Sequence, residues 1–302
     1  MAQQYRAEFD AVVTFSGGGD LQTRGFRIDV PRLDPTEAEL IALFLGVLGR
    51  PAVDRVELTG IRVFAEPSLD LPARSGPRLR HVELSHVIED GMVTYPGLPA
   101  PTLSVHLSFA NSRSSYAEGT EFSMDRIDLL GQTGTYLDSP AHRYDGGTDL
   151  AGLSLDRLAD LPAVVVRTAG SGRRAVEAAD IEPLVVAGHA VLLHTGGDLH
   201  WRTPEYAVDA PYLTGEAAAL LVERGAALVG IDSINMDRMT PRGERPAHTL
   251  LLAAGIPVVE HLTGLAELPP TGARFTAAPP RITGFGTFPV RAFATLAWFE
   301  TH

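Results

Sequence analysis

The sequence has 302 residues, of which 45% are hydrophobic and 21% are charged, a composition typical of a packed globular protein rather than a disordered chain. Its formal net charge is −12 and all 25 basic residues are arginine, which disfavours general binding to nucleic acid or anionic membranes and excludes Schiff-base chemistry on lysine. The absence of cysteine excludes disulfides, thiolate nucleophiles and cysteine-based metal sites.

The chain lacks the signals of targeting or membrane insertion. Its first residues do not show the basic-then-apolar pattern of a secretory signal, and no apolar run reaches the roughly 18 residues needed to cross a bilayer. We therefore expect a cytoplasmic protein that acts on small molecules, with neither nucleic acid nor membrane as a partner.

Residues 1–67 predict a small domain in the order β-β-α-β. Thr36 and Glu37 are typical of a helix start, and apolar residues repeat at helical spacing after them. The segment that follows this domain contains prolines and has no clear period, so residues 68–78 are interpreted as a linker. Strands are expected at residues 5–15, 25–30 and 55–64, with a glycine-rich hairpin turn at 16–20.

Residues 79–302 predict a second domain with many short strands and few helices. Strands outnumber helices without a regular βαβ repeat, which indicates an α+β fold with a mixed or antiparallel sheet, or an open barrel, and flanking helices. The expected strands are 82–84, 102–109, 161–166, 190–194, 228–231, 258–261, 281–285 and 290–296, and the expected helices are 214–223 and a stretch around 249–254.

The densest group of polar side chains lies at residues 131–142. Gly134 is small enough for a ligand to approach the backbone, and Pro140 stiffens the turn between Asp138 and His142. The segment resembles the pattern His-x-Gly-Thr-His-x-Asp-x-Pro-x-His of the cyclase/kynurenine formamidase family of metal-dependent hydrolases.

Four further segments are similar to that family in order and spacing. The resemblance covers about residues 79–296 and leaves the N-terminal domain outside it. The four segments are residues 84–97, residues 191–201, residues 230–233 and residues 248–260, the last beginning at His248 and ending at Glu260.

The resemblance implies a metal site with an altered set of ligands. In the family, the first two histidines and the aspartate of the motif hold a divalent metal, the late His/Glu pair contributes to a second ion, and the last histidine is a general acid/base.

Carried over to this chain, Asp138, His248 and Glu260 are candidate metal ligands and His142 is the candidate acid/base. Gln132 and Tyr136 replace the first two histidines of the motif.

These two replacements weaken the predicted site. Gln132 still offers an amide oxygen as a ligand, whereas Tyr136 is a poor ligand at neutral pH because the pKa of a tyrosine is ordinarily about 10. The surviving donors predict one bound divalent ion, zinc or manganese, and a metal-free site is the alternative.

Three functions are compatible with these residues. The first is an arylformamidase-like hydrolase that opens a small amide, formamide, lactam or ester with metal-activated water and His142 as acid/base. The second is a metal-independent cyclase or lyase that uses His142, Asp138 and Tyr136, with Tyr136 and Gln132 donating hydrogen bonds to a developing oxyanion. The third is a non-catalytic binding protein on the same scaffold.

Three further side chains are candidates for substrate binding. The rings of Tyr95 and Trp201 are suited to stacking on a planar substrate, with packing in the core as the alternative. His86 is a candidate to line the pocket, with a structural role as the alternative. The resemblance also implies a homodimer or homotetramer.

Overall fold

Two units make up the chain in the computed structural model, Met1–Gly76 and Pro77–His302. The structure describes residues 4–48, 52–66, 78–117 and 119–298. Apart from residue 78, the predicted linker at 68–78 lies outside the described residues. None of the helices in these ranges is both long enough and apolar enough to span a membrane.

The first unit is an antiparallel sheet of three strands with one helix. The helix begins where Thr36 forms a capping box with Glu39, which satisfies backbone N–H groups that have no partner within the helix. Phe44 on the helix packs edge-on against Phe9 of the central strand. The elements are β1 (Gln4–Phe15), β2 (Asp20–Val30), α1 (Glu37–Val47) and β3 (Val53–Glu66), and the strand order is β2-β1-β3.

The second unit contains thirteen strands and four helices in its described part. The strands are β4 (Arg78–Glu83), β5 (Thr102–Leu107), β6 (Met124–Asp128), β7 (Tyr136–Asp138), β8 (Leu161–Arg167), β9 (Ala175–Val176), β10 (Ala190–His194), β11 (Tyr212–Leu213), β12 (Leu228–Ile231), β13 (Val258–Glu260), β14 (Thr271–Thr276), β15 (Thr287–Pro289) and β16 (Phe293–Trp298). The helices are α2 (Phe109–Ser112), α3 (Ala178–Ile181), α4 (Gly215–Glu223) and α5 (Pro246–Ala253).

Nine of these strands form one mixed sheet in the order β15-β7-β13-β12-β10-β8-β14-β16-β4. The central strands β13, β12, β10 and β8 are parallel, and antiparallel strands extend the sheet on both sides. Every residue of β12 is buried, as expected for a parallel strand covered on both faces. The predicted α+β class with a mixed sheet is confirmed, and the described strands leave the sheet open rather than closed into a barrel.

The structure also corrects one predicted strand. Residues 281–285 form a loop, because Gly284 has a φ of 77° and its N–H donates to Asp149 Oδ2 at 2.7 Å instead of to a strand. The two predicted helices are confirmed as α4 and α5, although α5 begins at Pro246, earlier than expected. This earlier start includes His248 in the first turn of the helix.

Candidate functional site

Strand β7 lies between strands β13 and β15, and its register against each of them decides which side chains it contacts. Tyr136 is opposite Glu260 of β13, and Asp138 is opposite Thr287 of β15. Opposed residues of antiparallel strands have Cβ atoms about 4.5–5.5 Å apart. The Tyr136 hydroxyl therefore donates to Glu260 Oε2 at 2.5 Å, and the Thr287 hydroxyl donates to Asp138 Oδ1.

The turn after β7 brings His142 back toward Asp138. Pro140–His142 form one 3₁₀ turn, preceded by a hydrogen bond from the Ser139 N–H to the Gly286 carbonyl at 2.7 Å. A Cβ at Gly286 would collide with the backbone of His142, so only glycine allows this close approach. His142 Nδ1 lies 3.8 Å from Asp138 Oδ1, with 35% of the side chain exposed.

His248 reaches the site from the first turn of α5, where the buried Asp237 holds it. The Asp237 carboxylate accepts hydrogen bonds from the backbone N–H groups of Ala247 at 2.7 Å and His248 at 3.0 Å. These N–H groups have no partner within the helix. Asp237 Oδ2 also lies 2.6 Å from His248 Nδ1, an arrangement that keeps the proton on Nδ1 and presents Nε2 to the site.

Asp138, His248 and Glu260 form a buried cluster with the donor set of a metal site. Each offers one ligand atom, and these atoms lie within 4.8 Å of one another. His248 Nε2 is 3.5 Å from Asp138 Oδ2 and 3.4 Å from Glu260 Oε1. Two ligands about 2.1 Å from a common tetrahedral ion lie roughly 3.4 Å apart.

The surroundings of Asp138 Oδ2 give a second test of whether the cluster fits a metal ion. Asp138 Oδ2 is buried and has no hydrogen-bond partner among the described residues. A buried carboxylate oxygen without a partner is costly, and coordination of a cation removes that cost. The residues present therefore fit one divalent ion held by Asp138, His248 and Glu260.

The crowding of buried charges perturbs the pKa values of the cluster. Burial raises the pKa of Glu260 to about 7, and the Asp138 charge acts in the same direction against the opposing effect of His248. Burial lowers the pKa of His248, but Glu260, Asp138 and Asp237 outweigh it and raise that pKa well above its ordinary value. Burial, followed by the charge of Glu260, raises the pKa of Tyr136 well above 10, so its hydroxyl is neutral.

A cavity of about 400 Å³ opens onto this cluster. Tyr95, Leu98 and Leu130 contribute apolar surface, and His142 lies in the wall beside the cluster. This size and this mixture of an apolar wall with a few polar groups are typical of small-molecule sites. The other polar side chains in the wall include Gln132, Asn235, Arg143 and Arg245.

Two predicted substrate-binding residues lie elsewhere. His86 stacks on Trp201 with ring centroids 3.9 Å apart, and Trp201 in turn packs against Tyr206 and His261. Neither His86 nor Trp201 lines the cavity, which has only Tyr95 of the three predicted aromatic residues in its wall. Their rings pack on each other and on buried neighbours, which agrees with the packing alternative, and a role of the pair in substrate binding stays a prediction.

Sequence reasoning missed several side chains that build the site. Asp237 is nine residues before the first residue of α5, so no local capping pattern identifies it. Thr287 belongs to a strand that was not predicted, and Arg143 and Arg245 carry no motif. Of these residues, only Arg143 could have been identified from the sequence, because it directly follows the candidate acid/base His142.

We expect Asp237→Asn to weaken both metal binding and the start of α5. The variant loses a charged partner of His248, and loss of such a partner typically lowers metal affinity 10- to 100-fold. It also loses one of the two oxygens that accept from backbone N–H groups of α5, at a cost of about 1 kcal/mol in the free energy of unfolding. Competition with a chromogenic chelator measures the affinity, and denaturant unfolding measures the stability.

Thr214→Ala is the matched control for this variant. Thr214 caps α4 by accepting a hydrogen bond from the Ala217 N–H at 3.2 Å, and it does not line the cavity. The control should lose similar stability while keeping its affinity for metal. Equal metal affinity in wild type and Asp237→Asn would refute the role assigned to Asp237.

Comparison with known proteins finds matches for the second unit. The family model described as "Putative cyclase" matches residues 82–238, a span that includes Asp138 and His142. The kynurenine formamidase of Bacillus mycoides (strain KBAB4) is 25% identical over 212 residues, which make up 70% of this chain and 95% of that relative.

Two solved structures are similar in fold. A potential metal-dependent hydrolase with cyclase activity has a TM-score of 0.59 and 23% identity, and the match covers 72% of this chain and 98% of the other. An isatin hydrolase bound to the product analogue thioisatinate has a TM-score of 0.61 and 22% identity, and the match covers 72% of this chain and 93% of the other. At these identities the likeness concerns the fold.

Proposed function

The chain belongs to the cyclase family, whose model matches more than half of its residues, and from this premise we propose that it is a hydrolase of small molecules. The bond opened is that of an amide, formamide, lactam or ester, and the activity is arylformamidase-like. Relatives named kynurenine formamidase and a structural neighbour named isatin hydrolase support this reaction class. One observation carries the proposal: two members of the buried Asp138–His248–Glu260 cluster, His248 and Glu260, line the same cavity as His142.

A divalent ion, zinc or manganese, would be held by Asp138, His248 and Glu260, with the amide oxygen of Gln132 as a further donor. When bound, such an ion supplies Lewis-acid polarisation of a carbonyl and lowers the pKa of water toward about 7. The positions of the three ligands in the protein depend on Tyr136, Thr287 and Asp237, as described above.

His142 is proposed to transfer the proton. It accepts a proton from the attacking water and returns it to the departing amine or alcohol, which leaves a carboxylic acid as product. The partly exposed position of His142 allows this exchange, and Asp138 Oδ1 at 3.8 Å stabilises the imidazolium that forms in between. Tyr136 remains neutral and orients Glu260 through its 2.5 Å hydrogen bond.

A metal-independent cyclase or lyase is the second candidate, and the position of Tyr136 favours it. The neutral Tyr136 hydroxyl and Gln132 both line the cavity. They would donate hydrogen bonds to a developing oxyanion, and for this the Tyr136 hydroxyl would leave Glu260, which accepts its one hydrogen here. His142 and Asp138 would then carry out acid/base chemistry without an ion.

Chelation combined with Tyr136→Phe separates the two candidates. For the hydrolase we expect a chelator to abolish turnover of an aryl formamide and one equivalent of zinc or manganese to restore it. Tyr136→Phe should cost at most about 10-fold in kcat/KM, because it removes one hydrogen bond to Glu260. Initial rates and metal analysis of the same preparations provide the measurement.

Tyr144→Phe is the matched control, because its hydroxyl donates to the Thr249 carbonyl at 2.8 Å outside the cavity wall. The metal-independent candidate predicts the reverse pattern, in which the chelator has no effect and Tyr136→Phe is inactive. Full activity in a preparation free of metal would therefore rule out the hydrolase as proposed.

Three further expectations accompany this proposal. We infer that the protein acts in the cytoplasm on a small-molecule substrate and that it assembles as a homodimer or homotetramer. Support for the substrate comes from the size of the cavity and from the names of the relatives.

A further inference from the structure

Two arginines in the cavity wall, Arg143 and Arg245, have no role in the chemistry proposed above. Within the described ranges neither forms an ion pair, whereas many other arginines do, such as Arg173 with Asp180 at 2.7 Å. The cavity therefore holds two cationic groups without a carboxylate partner from the protein. Arg245 is half-buried and Arg143 is exposed at the cavity wall, and a guanidinium in such a wall stabilises an anion that enters the site.

Arg245 directly precedes α5, and Arg143 follows the Pro140–His142 turn and contacts the first turns of that helix. Arg143 Nε donates to Thr249 Oγ1 at 3.4 Å, and the Thr249 N–H donates to the Arg245 carbonyl at 2.9 Å. The Arg245 guanidinium donates to the carbonyls of Gly243 at 3.3 Å and Glu244 at 3.1 Å. These acceptors are neutral, and they occupy only part of the five N–H donors of each arginine.

The other charges of the cavity leave these arginines available. A divalent ion would offset, to within one unit, the negative charge of the three carboxylates of Asp138, Asp237 and Glu260. The cluster then does not need the guanidinium groups as counter-ions. The chain as a whole carries a net charge of −12 and repels anions. Two arginines in the wall of this cavity therefore favour the binding of an anionic ligand.

The geometry points to a carboxylate subsite formed by Arg143 and Arg245, and we propose that the substrate of this enzyme is a small amide or ester that carries a carboxylate. The inference rests on the proposed hydrolase function. The planar guanidinium matches the two oxygens of a carboxylate. Tyr95, Leu98 and Leu130 provide the apolar surface for the body of the molecule, and a cavity of about 400 Å³ limits it to a small one.

Calorimetric binding of benzoate and of its neutral counterpart benzamide tests the subsite without any turnover. The proteins are wild type, Arg143→Gln, Arg245→Gln and the double variant, all loaded with the same divalent ion. We expect wild type to bind benzoate at least about 10-fold more tightly than benzamide, and each single variant to lose roughly 10-fold in affinity for benzoate alone. Unchanged binding of benzamide shows that the cavity is intact in the variants.

Arg126→Gln is the matched control, because Arg126 is exposed on β6 and lies outside the cavity wall. It changes the net charge by the same amount and should leave the preference for benzoate unchanged. A preference that persists in the double variant would overturn the subsite, since benzoate would then be bound by the ion alone. Equal affinity of wild type for the two ligands would overturn it as well.

Kinetics distinguish a failure of this inference from a failure of the proposed function. With 2-formamidobenzoate and formanilide as substrates, the subsite predicts a higher kcat/KM for 2-formamidobenzoate. In the two arginine variants this advantage should disappear because KM for 2-formamidobenzoate rises. Turnover of both substrates at equal kcat/KM contradicts the subsite and leaves the hydrolase standing. Absence of turnover with every divalent ion contradicts the hydrolase, while the calorimetric preference still decides the subsite.

Discussion

Asp138→Asn is expected to abolish stoichiometric metal binding and to lower kcat/KM for an aryl formamide by roughly 10³-fold or more. The reason is the unpartnered Asp138 Oδ2, which lies 3.5 Å from His248 Nε2. An asparagine of the same shape keeps an oxygen for the Thr287 hydroxyl and presents an N–H donor, or an uncharged oxygen, to the ion. The cluster then loses one of its two carboxylate ligands. Elemental analysis and initial rates measure the two effects.

The same variant should not destabilise the metal-free protein. Asp138, Glu260 and Asp237 are buried close together, and the Asp138 charge contributes to the raised pKa of Glu260. Removing one of these charges relieves repulsion between the carboxylates, and this relief should offset the lost attraction to His248, so the metal-free variant should unfold at about the same temperature as wild type or higher. Unlike this variant, wild type should gain thermal stability when metal is added.

Asp145→Asn is the control, because Asp145 is exposed and near in sequence but outside the cavity wall. It should retain metal, activity and the metal-dependent rise in unfolding temperature. Retention of a full equivalent of metal by Asp138→Asn would contradict the assignment of Asp138 as a ligand.

His142→Gln is expected to lower kcat by about 10²- to 10⁴-fold while metal content stays at the wild-type level. His142 Nδ1 lies 3.8 Å from Asp138 Oδ1, and its ring centroid is 6.2 Å from that of His248, so it borders the cluster without belonging to the ligand set. Loss of the imidazole removes proton transfer and leaves the ligands in place. Steady-state kinetics and metal analysis of one preparation separate these effects.

His200→Gln controls for the loss of an exposed imidazole, since His200 lies outside this cavity. Its kcat should equal that of wild type. If His142→Gln lost its metal together with its activity, His142 would be a ligand, and the assignment of the acid/base would be wrong.

Local features of the structure were predictable from the sequence because neighbouring residues decide them. Thr36 and Thr214 cap α1 and α4 as their positions before apolar helical repeats indicate. The central strands β10 and β12 follow from short apolar runs, which a buried parallel sheet requires. The predicted strand at 281–285 is a loop because Gly284 and Phe285 form long-range hydrogen bonds with Asp149 and Leu150, which no local pattern reveals.

The candidate site was only partly predictable for the same reason. Asp138, His248 and Glu260 were identified through a family resemblance, and the structure brings their side chains into one cluster. The hydrogen bond between Tyr136 and Glu260 joins residues 124 positions apart, and it depends on the register of β7 against β13. His86 and Trp201 stack on each other, a contact between residues far apart in the sequence that no local pattern predicts.

The sequence by itself determined which chemistries are open to this protein. Without cysteine or lysine, any metal must be held by imidazole, carboxylate or amide oxygen, and Asp138 and His142 stand one short turn apart because Pro140 lies between them. Only the tertiary structure decided which distant groups complete the site. The capping of α5 by Asp237 and the position of Arg245 both depend on how the helix is placed against the sheet. Such contacts arise from strand order and helix packing, which local spacing along the chain does not encode.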